Sequence, residues 1–515
     1  MNFRFVINQI SLLFSVLSAI LLAIGAWSSL LVFTFNDETE RHASMAFLIT
    51  GAVGLVVGMA GWITTRRCSR DFERREALLL VALSWVLGAA LAGSPYLLWA
   101  SMAPPSIGEG AHIAFASPVN CYFEAMSGLT TTGATILTDL DQVPRSIHLW
   151  RATTHWLGGL GIVVLFVAVL PSLGVAGKRM FSVEAAGPNP RGVRPEIRET
   201  ARMLWLIYLG LTGAEIIALR IAGMSWFQSI THTFSTLATG GFSTDDASVG
   251  SFASPWVDWI IILFMVLAGA NFGLYYQAMR RRFKSVLADP ELRLYLIIIV
   301  IAGLSVTIII TGRQINTTTL APITGPLGAL RYAAFQTVSI QTTTGFGTAN
   351  FDDWPTLAKG ILVLLMFVGG CAGSTAGGIK VIRLWILFRV LLAEIERLYR
   401  PNVIRPMKIA GSPVSQELKI TTLAFVLTVV ILWVVGTALL LIFESADPTM
   451  DFPTAATASV ATLCNIGPGL GKVGPIETFA WFSDPSKLLL CLWMLLGRLE
   501  VFTILVLVSS RFWRD

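Results

Sequence analysis

The sequence predicts an all-α integral membrane protein. Four repeated units, each a spanning helix, a short pore helix, a filter loop and a second spanning helix, surround one pore, with two extra transmembrane helices at the N-terminus. Three observations lead there. Of the 515 residues, 54% are hydrophobic and only 13% charged, which leaves too little polar surface for a soluble chain of this size. A short glycine motif returns four times, at Gly133, Gly240, Gly345 and Gly467, with spacings of 107, 105 and 122 residues. The lysines and arginines cluster at the ends of the apolar runs rather than along one face.

The first run, residues 8–35, is longer than a signal-peptide core and reads as a spanning helix; the second covers 45–65. Together with the basic loop after them they form an N-terminal unit, residues 1–76. The pore repeats then occupy 77–201, 202–291, 292–418 and 419–515. Their paired spans are 77–100 with 147–172, 202–222 with 256–279, 292–312 with 356–392, and 419–443 with 487–510, giving ten spans in all.

Between the members of each pair lies a run of 12 to 20 small or apolar residues, too short for a ~30 Å hydrocarbon core. Each opens with a helix-start signal: Ser117-Pro118, Ser225, Gly325-Pro326, or Asp451 with Pro453. Such a helix is tolerated at membrane depth only inside protein or beside a cavity. The turn that follows contains glycine, which permits φ > 0, so backbone carbonyls can be turned toward a shared axis and replace the hydration shell of a cation. A single copy would be an ordinary helix terminator. Four copies between paired spans point to a filter.

With the N-terminus in the cytoplasm, the inner segments hold 27 of the 37 basic residues and the outer ones nine, so both termini face the cytoplasm and the filter turns enter from outside. Asp139, Asp141, Asp245, Asp246, Asp352, Asp353 and Glu477 follow the glycines on that outer side, where carboxylates would concentrate cations. The net charge of +6 is spread over span ends, which argues against a nucleic-acid partner. Five cysteines without a CxxC pair read as small buried hydrophobes, and His155 and His232 as packing residues.

Two features break the repeat. The run 356–392 is too long for one span and is interrupted by Gly369-Gly-Cys-Ala-Gly-Ser-Thr-Ala-Gly-Gly378, whose five glycines cannot hold a regular helix. Such a loop is expected in the permeation path below the filter. Arg498 falls about halfway along the last span, where an arginine usually faces a cavity or an acidic partner, while Glu500 suits a partner such as Lys380.

These residues carry a family resemblance. Ser127-Gly-Leu-Thr-Thr-Thr-Gly-Ala-Thr135, His155-Trp-Leu-Gly-Gly-Leu-Gly161, Gln341-Thr-Thr-Thr-Gly-Phe-Gly347, the loop from Gly369 to Lys380, Asn465-Ile-Gly-Pro-Gly-Leu-Gly471 and Gly497-Arg-Leu-Glu500 together resemble the bacterial potassium uptake subunits of the TrkH and TrkG type. The resemblance implies potassium uptake across the bacterial inner membrane, a homodimer with one pore per subunit, and gating by a cytoplasmic nucleotide-binding ring of the TrkA type. Potassium is then cargo, and no cofactor is expected. The implied potassium-binding filter positions are Thr131, Thr132 and Gly133; Ala238, Thr239 and Gly240; Thr343, Thr344 and Gly345; and Asn465, Ile466 and Gly467. The implied gate comprises Gly369, Gly370, Gly373, Ser374, Gly377, Gly378, Lys380 and Arg498.

Two other functions compete. A filter with one glycine per quadrant also suits sodium or weakly selective transport. An intramembrane serine hydrolase would pair Ser374 with His155, but Gly373-Ser-Thr lacks the frame of a nucleophile elbow.

Overall fold

The helix-start signals sit where the sequence places them. Ser117 Oγ accepts from the Asn120 amide at 3.4 Å and Asp451 Oδ1 from the Thr454 amide at 2.9 Å. Ser225 and Gln228 form a reciprocal capping box. The resulting pore helices are Pro118–Leu129, Trp226–Leu237, Gly325–Gln341 and Phe452–Leu463. At 12, 12, 17 and 12 residues, none reaches the ~20 needed to span.

The structure is a computed structural model that describes residues 1–35, 37–67, 74–104, 109–168, 193–313, 315–319, 321–323, 325–401, 407–409 and 412–513. Among them, six helices are long and apolar enough to cross a membrane: Phe3–Thr34, Glu38–Thr65, Arg75–Met102, Ala201–Ile221, Pro290–Ile310 and Gln416–Phe443. Helix Arg145–Ala168 takes the fourth expected place. The other three expected spans are interrupted. Pro255–Gly269 turns by 95° into Phe272–Met279, and Asp484–Arg498 turns by 119° into Phe502–Val508. Thr356–Phe367 is separated from Val381–Tyr399 by the glycine loop.

The loop interruption was expected; the other two breaks correct the reading of continuous spans at 256–279 and 487–510. Asn271 accepts from the Gly273 amide at 2.8 Å and so starts a new helix. Glu500 and Val501 have φ of 59° and 50°, which no α-helix contains. Arg498 is therefore the last residue of its helix, not the middle of a span.

The N-terminal pair packs through small residues, a Cβ on Gly51 falling 2.8 Å from Leu22 Cγ. It is tied to the first repeat by buried Glu40, which accepts from Ser28 Oγ at 2.7 Å and the Ser146 amide at 3.0 Å.

Candidate functional site

All four pore helices end in the same way. The second residue past each helix has a left-handed φ: Thr131 at 52°, Thr239 at 55°, Thr343 at 57° and Asn465 at 56°. Its amide bonds three residues back, to Gly128, Thr236, Ile340 and Thr462, and the next amide bonds five residues back, to Ser127, Ser235, Ser339 and Ala461. This is the Schellman arrangement, with threonine or asparagine where glycine is usual. A β-branched residue there costs on the order of 1–2 kcal/mol, so three such threonines mark a conformation held for its use.

Two residues later comes the glycine, with φ of 80° at Gly133, 83° at Gly241, 80° at Gly345 and 100° at Gly467. The backbone therefore corrects the register of the second turn. Gly241, not Gly240, is the partner of the other three glycines; Gly240 matches Thr132, Thr344 and Ile466, and Ala238 matches Thr130. The pair Gly240-Gly241 hid this in the sequence, because either glycine satisfies the motif.

In the corrected register the turns close a ring. A Cβ on Gly133 would run into the Gly240 carbonyl oxygen, one on Gly241 into that of Thr344, one on Gly345 into that of Ile466, and one on Gly467 would lie 2.8 Å from that of Thr132. Each quadrant abuts the next, and the fourth abuts the first. Among the described residues, no donor reaches these four oxygens, nor those of Thr131, Thr239, Thr343 and Asn465 one step inward. Buried carbonyls are almost always paired. Asn465 also bridges quadrants, its Nδ2 donating to Thr132 Oγ1 at 3.0 Å and to Met494 O at 2.9 Å.

Supports behind the ring escaped the sequence reading. Glu124 Oε1 accepts from Arg151 Nε at 2.8 Å and its Oε2 from the Ile136 amide at 3.0 Å, all fully buried. His232 and Gln336 hold the equivalent helix position in the next two quadrants, and His232 bonds Ser243 Oγ at 3.1 Å. Phe242 and Phe346, which follow the ring glycines, stack on His155 and His232 with centroids 4.1 and 5.8 Å apart. A glutamate inside a re-entrant helix was the one visible signal of this layer.

Outside the ring lies a cavity of about 110 Å³ lined by Asp245, Asp246, Glu477 and the ring glycines. Burial raises the Asp246 carboxyl above its ordinary range, against the hydrogen bond it accepts from the Leu140 amide. Asp352 and Asp353 are used elsewhere, accepting from the Gly471 amide at 2.8 Å and Asn350 Nδ2 at 3.1 Å.

Inside the ring lies the glycine loop. Gly377 N donates to Thr343 Oγ1 at 2.7 Å, Thr375 Oγ1 to Leu237 O at 2.9 Å, and Cys371 N to Gly269 O at 2.8 Å. The loop forms no regular helix, and its ends are paired with each other: Gly369 N donates to Ile379 O at 3.0 Å and Val381 N to Gly370 O at 3.1 Å. Glu291 Oε1 accepts from the Ala372 and Ile382 amides at 2.7 and 3.1 Å, fixing its base. Buried Arg498 donates from Nη1 to Thr375 O at 2.8 Å and from Nη2 to Gly158 O at 3.0 Å, locking the loop tip to the first repeat. Glu500 pairs with Arg383, and Lys380 Nζ donates to Ala376 O. The space among Gly377, Gly378, Lys380 and Arg498 is about 10 Å³, and one water needs ~10–15 Å³.

Ser374 Oγ donates to Cys371 O at 2.6 Å and His155 Nδ1 is engaged with Ser235 Oγ at 3.2 Å, so Ser374 and His155 are not hydrogen-bonded to each other. Cys121, Cys371, Cys464 and Cys491 are buried free thiols; Cys68 lies outside the described residues.

A family model described as TrkH, cation transport protein, matches residues 43–514. The Salmonella typhimurium Trk system potassium uptake protein TrkH is 37% identical over all of both chains, and that of Escherichia coli K12 36%. The crystal structure of the potassium transporter TrkH from Vibrio parahaemolyticus superposes with a TM-score of 0.84 at 36% identity, covering all of both chains.

Proposed function

The chain belongs to the TrkH family of cation transport proteins, and from that premise we propose that it takes up potassium through the ring of four turns. The observation that carries the reading is the set of buried carbonyl oxygens at Thr132, Gly240, Thr344 and Ile466, which close a four-quadrant circle and accept no hydrogen bond among the described residues. A dehydrated monovalent cation supplies what such oxygens lack. The outer carboxylates raise its local concentration.

The inner loop is the gate. Its residues Gly369, Gly370, Gly373, Ser374, Gly377 and Gly378, with Lys380 and Arg498, stand under the ring, and the loop binds the second, third and fourth repeats directly and the first through Arg498. Withdrawal breaks these bonds, and a regulatory partner that binds the open state better supplies the difference. That partner is a cytoplasmic nucleotide-binding ring of the TrkA type, and the protein works as a homodimer in a bacterial inner membrane with both termini inside. The exposed Arg397 and Arg400 at the end of helix Val381–Tyr399 lie on the docking face. The basic segment 173–202 is the second part of that face, and much of it lies outside the described residues.

The test is ⁸⁶Rb⁺ uptake into proteoliposomes of purified protein, competed with K⁺ or Na⁺. Inhibition by K⁺ at concentrations where Na⁺ has no effect supports the reading. Equal inhibition by both would replace it with weakly selective cation transport. Reversing Arg397 and Arg400 to glutamate should abolish co-purification with the ring partner; retained binding moves the dock elsewhere.

A further inference from the structure

The second turn has a glycine, Gly240, at the position before its ring glycine, where the other turns have Thr132, Thr344 and Ile466, and of the pair only Gly241 has a left-handed φ. Gly240 does not, so its missing side chain has another cause. A Cβ there would lie 2.5 Å from His155 Cγ and Nδ1, pressed against the imidazole ring well inside van der Waals contact. His155 occupies the space that a side chain fills at Thr132, Thr344 and Ile466.

The contacts of that ring all lead to the filter. His155 Nδ1 is 3.2 Å from Ser235 Oγ, and Ser235 O accepts the Gly240 amide at 2.8 Å. One face stacks on Phe242 at 4.1 Å and 18°, and the Arg151 guanidinium lies over the same phenyl ring at 4.1 Å. His155 and Arg151 are one helical turn apart on Arg145–Ala168, so a single face of the first repeat clamps the second turn. Three residues on, Gly158 O takes the Arg498 hydrogen bond, so the clamp belongs to a segment that the gate also holds.

We propose that His155 is a specificity-determining positioning residue: it stands in for the absent side chain of Gly240 and fixes the direction of that carbonyl, the second quadrant's member of the ring. The inference rests on the reading of the ring as a potassium filter. It requires histidine and glycine to be complementary: enlarging position 240 is harmful only while His155 is present.

The experiment is a two-by-two cycle of His155→Ala and Gly240→Ala, read as the K⁺/Na⁺ permeability ratio from bi-ionic reversal potentials in planar bilayers. Each single variant lowers the ratio at least fivefold, and the double variant recovers most of it, because a Cβ at 240 refills the space. His155→Phe keeps the stack on Phe242 and holds the ratio above that of His155→Ala, which separates packing from loss of folding. A His155→Ala ratio within twofold of wild type, or a double variant no better than the worse single one, overturns the proposal. Where the alanine variant does not insert, a His155→Phe ratio as low as that of Gly240→Ala overturns it equally. The wild-type ratio reports on the filter itself: a value near one refutes the potassium reading, whereas a high value with an unmoved cycle refutes only the role of His155.

Discussion

Replacing Arg498 by alanine should open the pathway without a partner. The guanidinium makes two hydrogen bonds to buried carbonyls, at 2.8 Å to Thr375 in the loop and 3.0 Å to Gly158 in the first repeat. A hydrogen bond from a charged group contributes ~1.5–3 kcal/mol, so the pair holds the loop by roughly 3–6 kcal/mol. Even the lower figure corresponds to a factor of about 150 in the closed-to-open ratio. The loop anchors at Thr343, Leu237 and Gly269 are neutral hydrogen bonds of ~1 kcal/mol each, each weaker than either arginine bond. Partner-free ⁸⁶Rb⁺ uptake into proteoliposomes should therefore rise by about two orders of magnitude in Arg498→Ala, with K⁺ over Na⁺ preference kept. Arg498→Lys should be intermediate, since one ammonium cannot replace a fork that reaches two carbonyls. Flux within twofold of wild type in an inserted, monodisperse Arg498→Ala protein would refute the reasoning, because the loop would then be held without the arginine.

Gly241→Ala places a side chain both at a left-handed φ and against the Thr344 carbonyl, so its loss of selectivity should persist in a His155→Ala background; recovery there would return the register to Gly240. Glu291→Ala frees the amides of Ala372 and Ile382 at the loop base and should raise partner-free flux several-fold, while Glu291→Gln, whose amide oxygen still accepts, should stay near wild type in the same uptake assay. Arg151→Met leaves Glu124 buried without its cation, a loss of ~3–5 kcal/mol that should appear as a lower melting temperature in detergent and shrink when Glu124→Gln is added. Because burial raises Asp246, it takes up a proton at a higher pH than a free aspartate, so external acidification through that range should reduce K⁺ conductance. Asp246→Asn should blunt that acid-side fall, measured as conductance against external pH.

Much of this architecture was legible because it rests on local chemistry repeated four times. Capping at Ser117, Ser225 and Asp451 and the lengths of the pore helices follow from side chains a few residues apart. The register at Gly240-Gly241 was not legible, since both residues lack a side chain and only the backbone angle separates them. Nor was the end of the last long helix at Arg498: Leu495-Leu-Gly-Arg-Leu-Glu500 reads as helix, and tertiary contacts to Thr375 and Gly158 decide otherwise. Asn271, by contrast, was a readable helix-start signal inside an apolar run. The Glu124–Arg151 pair joins elements 27 residues apart, and no local pattern links them.

The central claim is that four turns with unpaired carbonyls form a potassium-selective ring. The bi-ionic reversal potential of the purified wild-type protein, with K⁺ on one side and Na⁺ on the other and the gate released by Arg498→Ala in a parallel sample, tests it most directly. The account predicts a potential strongly displaced toward K⁺ permeation in both samples; a reversal near zero, or one displaced toward Na⁺, would contradict it.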